Sequence, residues 1–575
     1  MRAIERLGPA TLARIGLAAM LAVTAAVILH ETRGTTLWTD EWTWALDRRN
    51  DSLGELLEPH NGHFSLVPLL IYRALFAIVG IDDYVPYRVM IVIGHLGCAG
   101  LLFTYARRRL GPLAALLPTA VLLMLGPAWQ NFLWPFQIAW LITLAAGIGA
   151  LLALDRGDRR GDAVACALLA LALASSGIGI AIGAGLAVEV LWRRRPVWIV
   201  AAPLAVYALW WLVYQDTDFW RHNVVIAPQF AADAAGASLA VVVGLTEGRL
   251  DAAGNLIDAG AALVWGRPLL LAAAAVLAWR LATLRPVPVR AYALLAMAAS
   301  FWLLGGLQRA QISSPDASRY LYVGALFVLL IAVELVRGAR VGRWIAALVV
   351  ALTGLAVLAN VGDLRAGARG LRASADVARA DLGALELARD DVKPGYRATR
   401  FPGIPFVQID VNEYFAAARD LGSIAYSPSE IAAASEQGRL AADAELANIQ
   451  QVVPHPSTEK AGATPPRVDV VTGGRVRTDG GCVRFRPDAA TPAGTIAELQ
   501  VTLPAGGLLL TAEGGRATLA LRRFAVTFPP DSAAAKLAPG GSSVLRPGSD
   551  RARQPWHVRL APEAGVSACG LRTGG

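Results

Sequence analysis

The feature that most constrains this chain is a series of apolar runs with arginine-rich segments at every second boundary. The chain has 575 residues, 55% of them hydrophobic, and a mean hydropathy of +0.47. Apolar runs approaching ~20 residues are long enough to cross a bilayer as helices. The sequence therefore predicts an α-helical polytopic membrane protein.

We predict about eleven transmembrane helices from the apolar runs. No small-residue cleavage pattern follows Leu29, so the first run is read as a retained span and not as a signal peptide. The segment between Tyr214 and Leu269 is read as a loop. The predicted spans are Ile15–Leu29, Val89–Tyr105, Pro112–Leu125, Phe136–Leu154, Ala163–Ala174, Ile178–Trp192, Val197–Tyr214, Leu269–Leu284, Ala291–Leu307, Tyr320–Val336 and Trp344–Leu358.

The arginines predict the orientation of these spans. Short basic loops are cytoplasmic by the positive-inside rule. The N-terminus is then cytoplasmic, and the loop 31–86 and everything after Leu358 are extracytoplasmic. These loop arginines also explain the net charge of +9, so nucleic acid is not an expected partner. The basic loops contain Arg107-Arg108-Arg109, Arg156 with Arg159-Arg160, Arg193-Arg194-Arg195, Arg280 with Arg285 and Arg290, and Arg337 with Arg340 and Arg343.

Two places leave the span count open. Ser65–Gly80 is apolar but has Arg73 in its middle, and we expect a helix lying at the outer interface. Ala163–Ala174 and Ile178–Trp192 are short for a full crossing, and Ser175-Ser176-Gly177 joins them. They are predicted to be two short helices that meet a cavity before full depth, because irregular backbone needs cover by protein or water.

The chain divides into four predicted segments. Residues 1–362 form the membrane module, and residues 363–453 form an extracytoplasmic helical segment rich in alanine. A Pro/Thr-rich linker covers residues 454–466. Residues 467–575 contain short β-type runs between Gly/Pro turns, which predict a β-sandwich or jelly roll.

The four cysteines fall into two groups. Cys98 and Cys166 lie in apolar runs and are expected to pack as small hydrophobic residues. Cys482 and Cys569 lie near the two ends of the predicted β domain, on the oxidising side of the membrane, where we expect them to form a disulfide. The alternative is that both are simply buried thiols.

The outer loop 31–86 carries the best candidates for chemistry. Asp40 and Glu41 are adjacent acids after Trp38-Thr39, and His60 and His63 lie three residues apart. This set of two carboxylates and two histidines could bind a divalent metal, namely Mg²⁺, Mn²⁺, Ca²⁺ or Zn²⁺, although the residues alone fix no cofactor. The acids also fit the first turn of a helix, where they would serve as caps, and both interpretations can hold together.

Arginines on the predicted outer side form a second candidate set. Arg88 opens the second span, and Arg309 and Arg319-Tyr320 border the loop between the ninth and tenth spans. Positive charge on this side runs against the charge rule and needs a local partner. A phosphate is one, since the guanidinium fork matches its oxygens. The alternatives are lipid headgroups or ion pairs with acids such as Asp40 or Asp316.

These residues, in this order, resemble the GT-C glycosyltransferases, which include protein O-mannosyltransferases, the aminoarabinose transferase of lipid A and mycobacterial arabinofuranosyltransferases. The resemblance covers roughly Met1 to Leu358. Asp40-Glu41 matches the acidic motif of the first outer loop, and Arg88 matches the arginine at the second span. The tail is similar to carbohydrate-binding modules of actinobacterial members, so carbohydrate binding is one role open to it.

The resemblance implies a polyprenyl-phosphate sugar donor, used on the outer face, and a glycan, lipid or protein acceptor. Asp40 would act as general base in an inverting transfer. Arg88 and Arg319, with Arg309 and Tyr320 nearby, would stabilise the leaving phosphate. Any metal would be held by Glu41, His60 or His63.

Three other functions fit parts of the sequence. A transporter or flippase would show internal repeats and charge near mid-bilayer, neither of which stands out here. A surface-polysaccharide polymerase or ligase uses similar donors but would place its functional arginines and histidine in a late outer loop. A non-catalytic scaffold would leave Asp40-Glu41 and the outward arginines without a role.

Overall fold

The computed structural model describes residues 8–214, 221–246, 249–250, 256–258, 263–284, 286–393, 396–398, 409–488, 497–530 and 534–571. Its internal contacts divide the chain into two compact units. The first unit comprises Met1–Thr35 and Thr43–Arg372, and the second comprises Thr36–Trp42 and Ala373–Gly575.

Helices dominate the first 387 residues. Some of them are long membrane-type helices, and others are short helices in the connections. In chain order, their bounds are α1 Pro9–Glu31, α2 Asp40–Leu46, α3 Leu66–Val79, α4 Val85–Leu110, α5 Leu116–Leu123, α6 Gln130–Leu133, α7 Ile138–Leu154, α8 Arg159–Leu173, α9 Ile178–Trp192, α10 Trp198–Tyr214, α11 Asn223–Val242, α12 Leu263–Thr283, α13 Val289–Arg309, α14 Ser318–Leu335 and α15 Arg343–Leu387. A two-stranded ribbon, β1 Arg249–Leu250 and β2 Leu256–Asp258, precedes α12.

Within the described residues, eight helices are long and apolar enough to cross a membrane, and α3, α9 and α10 are shorter apolar helices. The chain is therefore a multi-pass membrane protein, as the apolar runs predicted. The two helices around Ser175-Ser176-Gly177 are short, as expected, at 15 residues each. The predicted span Pro112–Leu125 is helical only over Leu116–Leu123.

The prediction of one long loop between Tyr214 and Leu269 was wrong, because Asn223–Val242 forms the 20-residue helix α11. Pro228 and Asp233 interrupt its apolar pattern, which hid the helix in the sequence. In the structure Asp233 forms an ion pair with Arg267 of α12 at 2.9 Å, so the charge does not prevent helix formation.

The helix α11 packs against α12, α13 and α14 and also reaches α15. The Phe230 ring lies 6.4 Å from the ring of Tyr320, near the start of α14. The Asn360 side chain of α15 donates to the Val241 carbonyl at 3.2 Å. The helix α11 is itself one of the eight helices in the described residues that are long and apolar enough to cross a membrane, so it adds a candidate span to the predicted set.

The helix α3 spans 14 residues and begins at Leu66. The predicted helix over Ser65–Gly80 therefore exists, and it is too short for a straight crossing, which takes ~20 residues. Its Arg73 side chain donates to the carbonyl of Asp51 at 2.7 Å, so this arginine is bound by protein.

A buried charge network joins the ends of several apolar helices. Arg290 of α13 is only 2% exposed and lies 2.5 Å from Glu189 of α9 and 3.0 Å from Asp155 after α7. Arg109 of α4 pairs with the fully buried Glu334 of α14. Buried charges are tolerated only when paired and hydrogen-bonded. The network therefore fixes these helix ends relative to one another.

The second unit combines helices with a β-sandwich. The first elements after α15 are β3 Arg397–Ala398 and β4 Ile409–Asp410, followed by α16 Val411–Leu421, α17 Pro428–Ala433 and α18 Glu436–Ile449. The sandwich strands are β5 His455–Pro456, β6 Val468–Thr472, β7 Gly474–Asp479, β8 Cys482–Pro487, β9 Glu498–Thr502, β10 Leu508–Ala512, β11 Ala517–Arg522, β12 Ala535–Leu537, β13 Ser542–Leu545, β14 His557–Pro562 and β15 Val566–Gly570.

These strands form a six-stranded sheet, in the order β5-β13-β10-β15-β8-β7, and a five-stranded sheet, in the order β12-β11-β14-β9-β6. Alternate side chains such as Val483, Phe485, Val558 and Leu560 are buried, which is the pattern of a sheet with one covered face. The predicted β-sandwich is confirmed. So is the predicted disulfide, which joins Cys482 and Cys569 on neighbouring strands β8 and β15.

Asp443 fixes α18 to this sandwich. Its carboxylate accepts the backbone N–H groups of Arg523, Phe524 and Ala525, just after β11, at 2.7, 2.8 and 3.0 Å. Three such bonds satisfy a buried carboxylate and cap an otherwise open turn. The last helix of this unit is thereby held to the β domain.

Candidate functional site

The acidic pair forms the first turn of the short helix α2. Thr39, immediately before it, has a left-handed φ of 44°, an uncommon conformation for this residue type. The Trp42 N–H donates to the Thr39 carbonyl at 3.0 Å and begins the helix. Acids in a first turn are favoured by the helix dipole. Asp40 and Glu41 thus lie in the first turn of a helix, as the capping interpretation predicted.

The two acids differ in environment. The Glu41 side chain is fully buried and accepts the backbone N–H of Trp38 at 3.0 Å. Asp40 is only partly buried. Glu41 therefore holds the turn that precedes the helix, and Asp40 is the more accessible carboxylate of the pair.

Aromatic contacts hold the acidic segment within the second unit. The Trp42 indole N–H donates to the Leu37 carbonyl at 3.1 Å. The Trp42 ring lies 6.4 Å from the ring of Tyr414 on α16. Both contacts restrict the backbone on either side of Asp40.

His60 and His63 face each other across a tight turn. Their backbones exchange two hydrogen bonds, of 3.0 and 2.9 Å. Asn61 and Gly62 between them have φ values of 50° and 77°. Positive φ at both central residues defines a type I′ turn, for which Asn-Gly is the preferred sequence. The spacing of the two histidines therefore serves the turn geometry.

The two imidazole rings have different neighbours. The His60 ring packs 5.4 Å from the ring of Trp44 and 5.6 Å from that of Phe136. The His63 ring lies near Arg309 and Gly177 instead. In the part of the chain that the structure describes, no group of three or more His, Cys, Asp or Glu side chains could hold a metal ion.

His63 and Arg309 form the central contact of the first unit's site. The Nη2 atom of Arg309 lies 3.1 Å from Nε2 of His63 and donates to the carbonyl of Asn61 at 2.6 Å. A guanidinium has donors only, so the His63 Nε2 must be the acceptor and the ring proton is on Nδ1. Burial, and after it the Arg309 charge, lower the pKa of His63 to about 3. His63 is therefore neutral.

Gly177 makes room for this imidazole. A Cβ atom at position 177 would lie 2.8 Å from the Nδ1 atom of His63. The Val67 N–H also donates to the carbonyl of Ala174 at 3.1 Å, which links the histidine loop to the same junction. The junction between the two short helices α8 and α9 thus forms one wall of the site.

Arg319 supplies a second cation near His63. The positive charge of Arg319 also lowers the pKa of His63. Its Nη2 atom donates to the Ser313 hydroxyl at 3.0 Å, and its guanidinium lies 5.1 Å from the ring centroid of Tyr320. The Tyr320 ring stacks on Trp140 at 5.9 Å and is nearly buried. Tyr320 therefore supports the arginine by packing.

Arg88 lies at the start of α4 and is 9% exposed. Its Nε atom donates to the Thr32 hydroxyl at 3.0 Å, and its Nη2 atom donates to the Leu29 carbonyl at 2.6 Å. These bonds satisfy the C-terminal end of α1, which leaves orphan carbonyls. Arg88 thus joins the first two long helices.

The first unit therefore brings together His63, Arg309 and Arg319 and places Arg88 in a helix-end contact. The sequence placed His63 in one candidate set and these arginines in another, but it did not single out Asn61, Gly62 and Gly177 as the residues that shape the site. The Asn-Gly dipeptide was the available signal, because it is the strongest short-range indicator of a tight hairpin turn.

No protein-family model and no curated protein matches this chain. The solved structures similar to it include two of ArnT from Cupriavidus metallidurans. The form bound to undecaprenyl phosphate has 14% identity and a TM-score of 0.41, with 72% of this chain and 89% of that chain covered. The apo form has 15% identity and a TM-score of 0.38, with 73% and 91% covered.

Proposed function

We propose that this protein is an inverting membrane glycosyltransferase that moves a sugar from a polyprenyl-phosphate donor to a cell-envelope acceptor on the outer face. The observation that carries the proposal is the group formed by Arg309, Arg319 and neutral His63. Two guanidiniums beside a neutral imidazole favour an anionic ligand. The resemblance of the acidic motif and of Arg88 to GT-C enzymes indicates which anion to expect.

The arginines suit a phosphate leaving group. As the bond between the anomeric carbon and the phosphate oxygen breaks, negative charge grows on that oxygen. Fixed guanidinium donors stabilise such charge at little reorganisation cost, more so where burial lowers the local dielectric. Because His63 is neutral, it adds no charge of its own and instead orients the fork of Arg309 through Nε2.

Asp40 is the proposed general base. It takes the proton of the acceptor hydroxyl while that oxygen attacks the anomeric carbon, and the polyprenyl phosphate leaves from the opposite face. One carbon–oxygen bond forms as another breaks, and the configuration inverts. Glu41 acts on the same segment as a positioning residue, through its bond to the Trp38 N–H.

The test uses purified full-length protein in nanodiscs with a panel of polyprenyl-phosphate sugars and mixed envelope acceptors. Release of the lipid phosphate is followed by mass spectrometry. We expect R309Q and R319Q each to lower the release rate by about 10²–10³. The matched control is R221Q, which removes an exposed arginine elsewhere in the first unit. Equal loss in all three variants, or no release by the wild type with any donor, would refute the proposal.

A further inference from the structure

Four arginines form a square on the edge of the six-stranded sheet. In the register of β7 and β8, Arg475 lies opposite Arg486, and Arg477 lies opposite Arg484. Residues two apart on a strand point to one face. Phe485, between the two arginines of β8, is fully buried, so the arginines occupy the solvent face. We call Arg475, Arg477, Arg484 and Arg486 the arginine square.

Folding gains little from this arrangement. Like charges directly opposite each other on neighbouring strands destabilise a sheet, and here two such pairs follow in succession. Single acids pair with three of the arginines, namely Asp488 with Arg475 at 3.1 Å, Asp479 with Arg484 at 3.2 Å and Glu513 with Arg486 at 3.6 Å.

These ion pairs leave the arginines accessible. The arginine side chains in them are 86%, 52% and 77% exposed, and ion pairs exposed to this degree contribute little. Among the described residues, the side chain of Arg477 forms no ion pair or hydrogen bond. The square therefore presents guanidinium groups that remain open to solvent despite their ion pairs.

We infer that the arginine square binds an anionic glycan, a linear polysaccharide that carries carboxylate or phosphodiester groups. Arginines two apart along a strand are about 7 Å apart, and those opposite each other about 5 Å. This gives two parallel rows of charge along an edge strand, since β7 ends the sheet. Such rows fit an extended chain with repeating anions, and guanidiniums bind both kinds of anion in bidentate fashion.

A lipid surface fits the arginine square less well. Asp479, Asp488 and Glu513 lie at its perimeter and would be repelled by a continuous sheet of anionic headgroups. The outward positions of β7 and β8 within the square carry arginine only, without the apolar side chains that anchor peripheral proteins in a bilayer. A separate strand of polymer can instead follow the arginines and avoid the acids.

The experiment measures binding of full-length protein in phosphatidylcholine nanodiscs to polygalacturonate, with neutral dextran as the comparison polymer. The test variant is R477Q/R484Q. The matched control is R551Q/R553Q, which removes two exposed arginines outside the square. We expect the wild type to bind polygalacturonate and not dextran, and R477Q/R484Q to weaken binding by about tenfold or more.

R477K/R484K keeps the charges but not the bidentate fork, so it should bind polygalacturonate more tightly than R477Q/R484Q and less tightly than the wild type. An unchanged thermal midpoint in all variants shows that the losses do not come from unfolding. Equal weakening in R551Q/R553Q would overturn the inference, as would equal binding of dextran. Binding to phosphatidylglycerol vesicles without binding to the polymer would replace it with membrane docking. The inference is independent of the proposed transfer reaction.

Discussion

The Nη2 atom of Arg309 lies 3.1 Å from the Nε2 atom of His63, across 246 residues of sequence. The same guanidinium also binds the carbonyl of Asn61 in the turn that carries His63. The hairpin turn, the neutral imidazole and the guanidinium thus form one connected cluster. The proposed reaction requires this cluster to be rigid and directed at an anion.

The pH dependence of stability tests the state of His63. Its pKa is lowered to about 3 by burial and by Arg309, whereas the pKa of an unfolded histidine is about 6.5. Between these values the unfolded chain binds a proton that the folded chain does not, so stability rises with pH. The contribution is complete above about 6.5 and is lost as pH falls toward 3. We expect H63Q to flatten this slope in thermal midpoints measured from pH 4 to 7. An imidazole signal of His63 titrating near 6.5 by NMR would contradict the assignment.

Gly177 should tolerate no side chain. The G177A variant would place a Cβ atom 2.8 Å from Nδ1 of His63 and push the ring away from Arg309. We expect a loss of transfer of about 10²-fold, with overpacking that costs about 1–3 kcal/mol. G97A is the matched control, because a Cβ at that position meets nothing within 4 Å. Full activity of G177A would show that the position of His63 is unimportant.

Substitutions of Asp40 and of Glu41 should have different effects on the transfer activity. We expect D40N to fold normally and to lose transfer by about 10²–10⁴, the usual contribution of a general base. E41Q keeps an oxygen that can accept the Trp38 N–H, so it should retain most of the activity. D82N, at an exposed acid of the same loop 31–86, serves as control. If E41Q is inactive and D40N is active, the roles of the two acids are reversed.

Much of this fold could be predicted from the sequence because membrane helices and sheets leave regular patterns. Long apolar runs located α1, α4 and α12 to α14 to within about six residues. They also located the start of α15, but this helix continues to Leu387, far beyond the predicted end at Leu358. Short β-type runs between turns located β8, β11 and β14. The pairing of Cys482 with Cys569 followed from the side of the membrane on which the tail was placed.

The remainder depends on contacts distant in sequence. The helix α11 was missed because Asp233 looks like a loop residue until its pairing with Arg267 is known. The union of His63 with Arg309 could not be predicted, since no local rule relates positions so far apart. The same holds for Gly177, whose role follows from the approach of an imidazole ring that comes from a different loop.

The buried pair of Glu189 and Arg290 should be important for stability. E189A would leave the Arg290 guanidinium buried with part of its partners removed, and breaking such a pair typically costs about 3–5 kcal/mol. E459A is the control, because Glu459 pairs with Arg546 at an exposed position and should cost at most about 1 kcal/mol. Thermal midpoints in detergent compare the two variants. Similar midpoints would mean that the buried network does not fix the helix ends.

The disulfide should stabilise the β-sandwich. Cys482 and Cys569 close a loop across 87 residues, and removing such a bond from a small extracellular domain typically costs about 2–5 kcal/mol. We expect C482A/C569A to lower the temperature at which the tail becomes sensitive to protease. C166A removes a free cysteine of the first unit and should leave that temperature unchanged. Identical protease sensitivity of the wild type with and without reductant would contradict this prediction.

Group transfer at the membrane surface is tested most directly by counting its products. Purified protein receives a doubly labelled polyprenyl-phosphate sugar, and both labels are followed together with the anomeric configuration of the product. We predict one lipid phosphate released for each sugar transferred, with inverted configuration. Movement of the intact donor across the bilayer without release of lipid phosphate would instead identify a transporter and contradict the account.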